Sequence, residues 1–295
     1  MLISICMCTY KRDHLFDTLQ SLANLTVPAD AKIEVVVVDN DEQLYGQSII
    51  EKAKENYPHQ LSYHSEPKKN ISAARNKCLN SANGDWVAFI DDDEVAAKDW
   101  LINLYNTAIK YESDAVFGRV ISTYPANTPE WIIQGGFFDR KERETGTELS
   151  SGACNCTLVK TSAIDSQLFD LAYGLSGGED ADFFHRLHKK GKKLVYCQEA
   201  IVSEEIEKNR LNIDFLINRK VRIGSSFSKY RYEDKPITTK IPYIAKNVLI
   251  LIGELLATLV SYPFGKARCY KWLLKSADRY GKIKYFYKKN LQELY

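Results

Sequence analysis

The sequence predicts an α/β fold, with a mostly parallel central sheet flanked by helices. Three observations lead there. Apolar, often β-branched runs end abruptly in polar residues at 2–10, 33–41 and 86–93. Segments with helical spacing lie between them. The alternation returns near residue 180, where a helical pattern, Gly191 and another apolar run follow one another.

Taken in order, "LISICMCTY" is the first strand; no basic segment precedes it, so it reads as a strand rather than a signal peptide. Leu15, Leu19 and Leu22 then recur at helical spacing. "IEVVVVDND" at 33–41 is a second strand that breaks into carboxylates. Ile49, Ile50, Ala53 and Lys54 mark a more polar helix, and 72–82 marks another. "WVAFIDDD" at 86–93 repeats the strand design as a third strand, and "DAVFGRVI" at 114–121 supplies a fourth. Residues 125–150, with Pro125, Pro129 and the Gly135-Gly136 pair, read as irregular. "ACNCTLV" at 153–159 reads as a strand. "GGEDADFFHRLHKKGKKLVYC" at 177–197 reads as a turn, a helix closed by Gly191, and a strand. Beyond 207 helical patterns dominate.

The 295 residues are 45% hydrophobic and 26% charged, which excludes a disordered or low-complexity chain. The net charge of +2 hides an asymmetry. Residues 1–206 carry 21 Lys/Arg against 31 Asp/Glu, whereas 207–295 carry 19 against 7. The expected division is a catalytic domain at 1–206 and a basic, mostly helical region at 207–295. The seven cysteines include two C-x-C pairs, without the C-x-x-C spacing of zinc sites, and read as buried thiols of a reducing compartment. The five histidines show no pairing that suggests metal ligation.

The chemistry lies in two acidic clusters. Asp91, Asp92, Asp93 and Glu94 close a buried-type strand, and in open α/β sheets ligands bind beyond the carboxyl ends of the strands. Like charges so placed repel, and a hard cation such as Mg²⁺ or Mn²⁺, bridging to substrate phosphates, would hold them together. The plainer alternative is a solvated loop in which Asp93 and Glu94 cap the helix containing Trp100. The second cluster, Glu179-Asp180-Ala181-Asp182, follows Gly177-Gly178, which permit a tight turn near a ligand. Its carboxylates also suit a helix start. One cluster can neutralise a leaving diphosphate and the other can act as general base. That pairing fits transfer of a sugar from a nucleotide donor.

With these residues in view, the chain resembles the family 2 glycosyltransferases, which are inverting enzymes with the GT-A fold, and their bacterial exopolysaccharide branch, such as the succinoglycan glucosyltransferases. The resemblance spans at least residues 2–225. It rests on "ISICMCTYKR", "VVVVDND", "NISAARN", "FIDDDE", "SGACN", "GGEDADFFHRL" and "SEEIEKNR", in that order. It implies that Thr9, Tyr10 and Arg12 line the base and ribose, and that Asp39 accepts a hydrogen bond from the base, favouring uracil. Arg75 is implied near the nucleotide or its diphosphate, Asp91 on the ribose side, Asp92 between, and Asp93 as direct metal ligand. Asp180 matches the catalytic base with Glu179 beside it, and Asn155 a residue near the donor or acceptor sugar. Many relatives carry a metal-binding His where this chain has Glu204. Either Glu204 and Asp91 complete the metal site, or Asp93 and the diphosphate hold the ion, with Arg210 near the phosphates.

The stretch 241–264, interrupted by Lys246, Asn247 and Glu254, reads as an interfacial helix or hairpin, too short in its apolar part for a span. The following 265–290 mixes Lys/Arg with aromatics, suited to an anionic headgroup layer. The expected partners are a UDP-sugar, a glycan or undecaprenyl-diphosphate-linked acceptor, and the cytoplasmic face of the inner membrane. Core packing or homodimerisation is the alternative for this region, and no nucleic-acid partner is expected. Two other functions compete. A sugar-phosphate nucleotidyltransferase would need a glycine-rich phosphate loop after the first strand, where "CTYKRDHLF" has no glycine. A non-catalytic carbohydrate-binding membrane scaffold would not need both acidic clusters.

Overall fold

The computed structural model describes residues 1–288. Lys289 and Asn290, the end of the basic aromatic segment, lie outside the described residues. The chain divides into two compact units. The first comprises 1–122, 140–175 and 179–205; the second comprises 123–139, 176–178 and the chain from 206 onward. The division is therefore not a single cut near 206.

The first unit is built on eight strands: β1 (Leu2–Thr9), β2 (Lys32–Asp39), β3 (Gln60–Ser65), β4 (Trp86–Phe89), β5 (Glu94–Ala96), β6 (Ala115–Thr123), β7 (Thr157–Lys160) and β8 (Leu194–Glu205). They form one sheet in the order β3-β2-β1-β4-β7-β6-β8-β5. Pairs β1–β2, β2–β3 and β1–β4 are parallel, while β4–β7, β6–β7 and β5–β8 are antiparallel. The sheet is thus parallel through its first four-strand half and mixed as a whole.

Helices α1 (Leu15–Ala23), α2 (Gln47–Lys54), α3 (Ile71–Ser81), α4 (Trp100–Lys110), α6 (Thr161–Ile164) and α7 (Glu179–Lys189) belong to this unit, and α5 (Glu130–Gly135) to the other. Alternate strand residues feed two cores. Ile3, Ile5, Met7, Val35, Val37 and Ala88 join Leu15, Leu19 and Trp100 on one face. Cys6, Val36, Val38, Val87 and Phe89 join Ala74, Phe183 and Phe184 on the other. A sheet covered on both faces needs continuous apolar strands, which is why those runs were visible in the sequence. Strand β3 was not: "QLSYHS" lies at the sheet edge, half-buried, and carries no apolar run. "FIDDD" consequently ends the fourth strand in chain order. All seven cysteines are free thiols, and six are buried.

The second unit contains α5, α8 (Ile213–Tyr232), α9 (Ile237–Ser261) and α10 (Lys266–Tyr287). Ile132, Phe138, Ile206, Leu216 and Leu274 form its core. Helices α8 and α10 cross closely: a Cβ on Gly281 would lie 2.0 Å from the carbonyl oxygen of Val221. One expectation is corrected here. Helix α9 and the turn after it, Ile237–Phe264, are long and apolar enough to cross a bilayer, by length and composition alone. Of the three polar residues that interrupt the sequence, Lys246 is exposed, whereas Asn247 and Glu254 are not on the outer face. Asn247 and Glu254 are 2% and 7% exposed and lie against Arg279 of α10, at 3.2 and 3.4 Å. Leu249 and Leu259, each 71% exposed, belong to the apolar outer side.

Candidate active site

Strands β1, β2 and β4 run parallel, so Thr9, Asp39 and the segment after Phe89 emerge at one edge of the sheet. The aspartate triplet diverges there. Asp92 turns inward, where the backbone N–H of Tyr10 donates to its Oδ2 at 3.3 Å and Arg12 Nε lies 3.8 Å from Oδ1. Burial, helped by the charge of Asp93, pushes the Asp92 carboxyl up to about 7, against the pull of Arg12. Arg12 Nη2 lies 3.5 Å from Asp93. Asp91 keeps an accessible side chain and faces Arg75 Nη2 at 3.5 Å. In this structure, then, arginines share the charge of the cluster.

Arg75 connects the two acidic clusters. Its guanidinium is buried over the ring of Phe169, with Nη1 bonded to Glu179 and Nη2 toward Asp91. Its position comes from the start of α3. Asn70 caps that helix, its Oδ1 accepting from Ala73 N at 3.0 Å. Asn40, just beyond β2, holds the approach by donating to the carbonyls of Glu66 and Lys68 and accepting from Asn70 N. Burial pushes Glu179 up to about 7, while Arg75 acts against the shift. Its Oε2 is buried without a hydrogen-bond partner. Asp180 follows on the first turn of α7 and is half-buried, its Oδ1 accepting from Ala181 N at 2.7 Å. Gly177 and Gly178 precede it at φ +74° and +97°, conformations that side chains with Cβ resist.

The other predicted residues have well-defined places. Asp39 is fully buried and accepts from Asp41 N, Gly46 N and the hydroxyl of Tyr63, at 2.9, 2.8 and 2.7 Å. Three of its roughly four lone-pair directions are therefore taken, two by the 41–46 loop and one by Tyr63 of β3. Thr9 is buried, and Tyr10 carries Lys69 Nζ over its ring at 5.2 Å. Asn155 is buried between Arg140, whose Nη1 donates to it at 2.9 Å, and Glu94, to which it donates at 2.8 Å. Glu204 on β8 pairs in register with Glu94 on β5, accepts from Ser122 Oγ at 3.2 Å and lies 3.9 Å from Arg140. Arg210 lies in the second unit and pairs with Glu207 at 3.5 Å.

Two residues of the site have roles that the sequence did not indicate. Glu94 is wholly buried and accepts from Asp91 N at 3.0 Å, so it shapes the aspartate turn from beneath. It does not cap the helix containing Trp100, whose N-cap is Asp99. Burial pushes its carboxyl well up, and the charge of Asp91 adds to this. Arg140 comes from a stretch without periodicity, and nothing in its spacing marks it.

The donor set fits a hard divalent ion in kind: carboxylate oxygens, with no soft ligand required. Among the described residues no three acidic, His or Cys side chains converge on one point. An ion that takes one or two carboxylates and completes its shell on substrate phosphates would not need such a cluster. Asp93 and Asp91 are the carboxylates that would hold such an ion.

Polar strand ends, joined through one buried arginine to carboxylates on a helix start, stand on a GT-A-like fold. The chain belongs to glycosyl transferase family 2, whose sequence model matches residues 4–168, and it is a glycosyltransferase. It is similar to the succinoglycan biosynthesis protein ExoM of Rhizobium meliloti, at 37% identity over 229 residues, covering 77% of this chain and 74% of that one. It is also similar to the glucosyl-dolichyl phosphate glucuronosyltransferase of Haloferax volcanii, at 24% over 288 residues, covering 89% and 88%. The fold matches that of S. aureus TarS 1–349, solved with UDP-GlcNAc, with a TM-score of 0.58 at 15% identity, over 97% of this chain and 92% of that one.

Proposed function

We propose that this chain is an inverting, metal-dependent transferase that moves a sugar from a UDP-sugar to a hydroxyl of a lipid-linked glycan. The observation that carries the reading is Arg75, which ties Asp91 to Glu179 and so sets the donor end of the crevice against Asp180. The UDP-GlcNAc complex of TarS and the succinoglycan role of ExoM support the donor and pathway class.

In this mechanism Thr9, Tyr10 and Arg12 receive the nucleoside, with Asp39 below them. The half-buried carboxylate of Asp180 takes the proton of the acceptor hydroxyl. The oxygen so freed bonds to the anomeric carbon while the bond from that carbon to the diphosphate breaks on the opposite face. One displacement of this kind inverts the centre. Arg75 and Arg12 hold positive charge beside the departing diphosphate. Mn²⁺ or Mg²⁺ held by Asp93 and Asp91 would supply further neutralisation of that charge.

The same reading places the protein on the cytoplasmic face of the inner membrane. Its support is the apolar outer side of α9 followed by the basic, aromatic α10, a pairing suited to acyl chains beneath anionic headgroups.

UDP release from a panel of UDP-sugars, with an extract of lipid-linked glycans and Mn²⁺, tests the assignment. Release should depend on acceptor and metal, and Asp180→Asn should lower it by about 10³-fold or more. Unchanged release by the variant would remove Asp180 from its role.

A further inference from the structure

A cavity of about 230 Å³ opens in the first unit beside the site described above. Arg140, Lys141 and Arg143 line it together with Phe117 and Tyr196, and the segment 151–155 forms part of its wall. It is smaller than the roughly 300–1,000 Å³ of pockets that enclose drug-sized ligands, so it suits one sugar-sized group or less.

Its chemistry is one-sided. The lining holds three cations and no carboxylate. Arg140 is partly committed, to Asn155 at 2.9 Å and toward Glu204 at 3.9 Å. Arg143 donates to the carbonyl of Lys141 at 3.1 Å and rests over the Tyr196 ring at 5.9 Å. Among the described residues neither Lys141 nor Arg143 has a carboxylate partner. Their side chains are donors only. Ser151 and Tyr196 add hydroxyls that can also accept, but three cations with no carboxylate in the lining favour an oxyanion, which needs donors and positive charge, supplied by arginine in a planar fork.

The cavity also has a defined relation to the reaction. Asn155 in its wall donates to Glu94, and Glu94 receives the backbone N–H of Asp91. Asn155 therefore joins the cavity wall to the aspartate turn through Glu94. The adjacent Cys154 is buried. The residues assigned to the nucleotide and its diphosphate, 9–12 and 91–93, do not line the cavity.

We propose that this cavity is an acceptor subsite, and that it binds an oxyanion carried by the acceptor: a sugar carboxylate, or a phosphate of the lipid carrier. The proposal rests on the glycosyltransfer reading above and adds the class of acceptor. The group would be clamped by Lys141 and Arg143, with Arg140 positioned between it and Asn155.

The whole protein, saturated with UDP and Mn²⁺ to fill the donor site, should be titrated with methyl β-glucuronide, methyl phosphate and methyl β-glucoside. At least one anionic probe should bind tenfold or more tightly than the glucoside, and less tightly as salt is raised. Lys141→Gln with Arg143→Gln should weaken that binding at least tenfold, and Lys141→Arg with Arg143→Lys should restore part of it. Both pairs lie on the surface loop, and circular dichroism checks that each folds. Binding of the glucuronide alone assigns an acidic sugar, binding of methyl phosphate alone assigns the carrier, and binding of both supports the oxyanion class. Equal binding of all three probes, no binding of either anion, or anion binding indifferent to the double substitution overturns the proposal. UDP affinity is measured separately on the unaltered chain: UDP bound without either anion sinks only the subsite, whereas no UDP binding sinks the reading beneath it.

Discussion

Arg75 is the residue on which the two halves of the site depend. It is a buried cation facing two carboxylates, so truncating it strands Glu179 and removes the tie to Asp91. Breaking one partner of such a buried pair costs about 3–5 kcal/mol. Arg75→Gln should therefore reduce kcat/KM by two to three orders of magnitude and lower Tm together, which steady-state kinetics and thermal melts will show. Glu179 gives a pH signature. Its folded-state value of about 7 lies above the ordinary 4.5 because burial disfavours the charged form. The native state then holds more protons than the unfolded chain between those values, so this group's contribution to stability declines as pH rises from about 4.5 to 7. The effect is at most about 1.4 kcal/mol per pH unit. Glu179→Gln should flatten that part of the Tm-versus-pH curve, and an unchanged slope would contradict the assignment. At this scale the sequence showed that Glu179 and Asp91 were chemically exceptional, since acidic runs next to apolar strands and glycines are. It did not show that Arg75 joins them, because 104 residues separate Arg75 from Glu179.

At the scale of elements, α3 is a positioning device. Asn70 caps it, donates to the carbonyl of Leu171 at 3.1 Å, and packs so tightly that a Cβ on Gly174 would lie 1.8 Å from its Oδ1. Losing an N-cap costs about 0.5–2 kcal/mol. Asn70→Ala should lower Tm by a few degrees and raise the KM for the donor, because Arg75 lies in the second turn of the same helix. A normal KM in a destabilised variant would confine Asn70 to stability. The strands buried on both faces, and α1, α3 and α7, were legible because a repeating apolar pattern reports burial directly. Edge strand β3 and the short helix α5 were not, since a half-exposed segment of six residues leaves no periodic trace. The apolar length of helix α9 was underestimated for a related reason. Linear hydropathy counts Asn247 and Glu254 as breaks, yet both meet Arg279 inside the helical unit.

For the molecule as a whole, the outer side of α9 sets the expected behaviour. Leu256 and Leu259 are exposed, so Leu256→Asp with Leu259→Asp should leave the fold intact. The double variant should lose most of its flotation with vesicles containing anionic lipid, while the unaltered protein floats. Equal flotation of both would place any membrane contact elsewhere. What the sequence by itself determined was the α/β class, the strand ends that carry chemistry and the family of the chain, because apolar periodicity and short acidic motifs are local properties. What only the tertiary structure decided was how those motifs meet: Arg75 between the clusters, Glu94 beneath Asp91, Arg140 beside Asn155, and Asn247 and Glu254 of α9 turned inward. These pairings join positions tens of residues apart or more, and only the folded chain, by removing water from between them, makes their charges count.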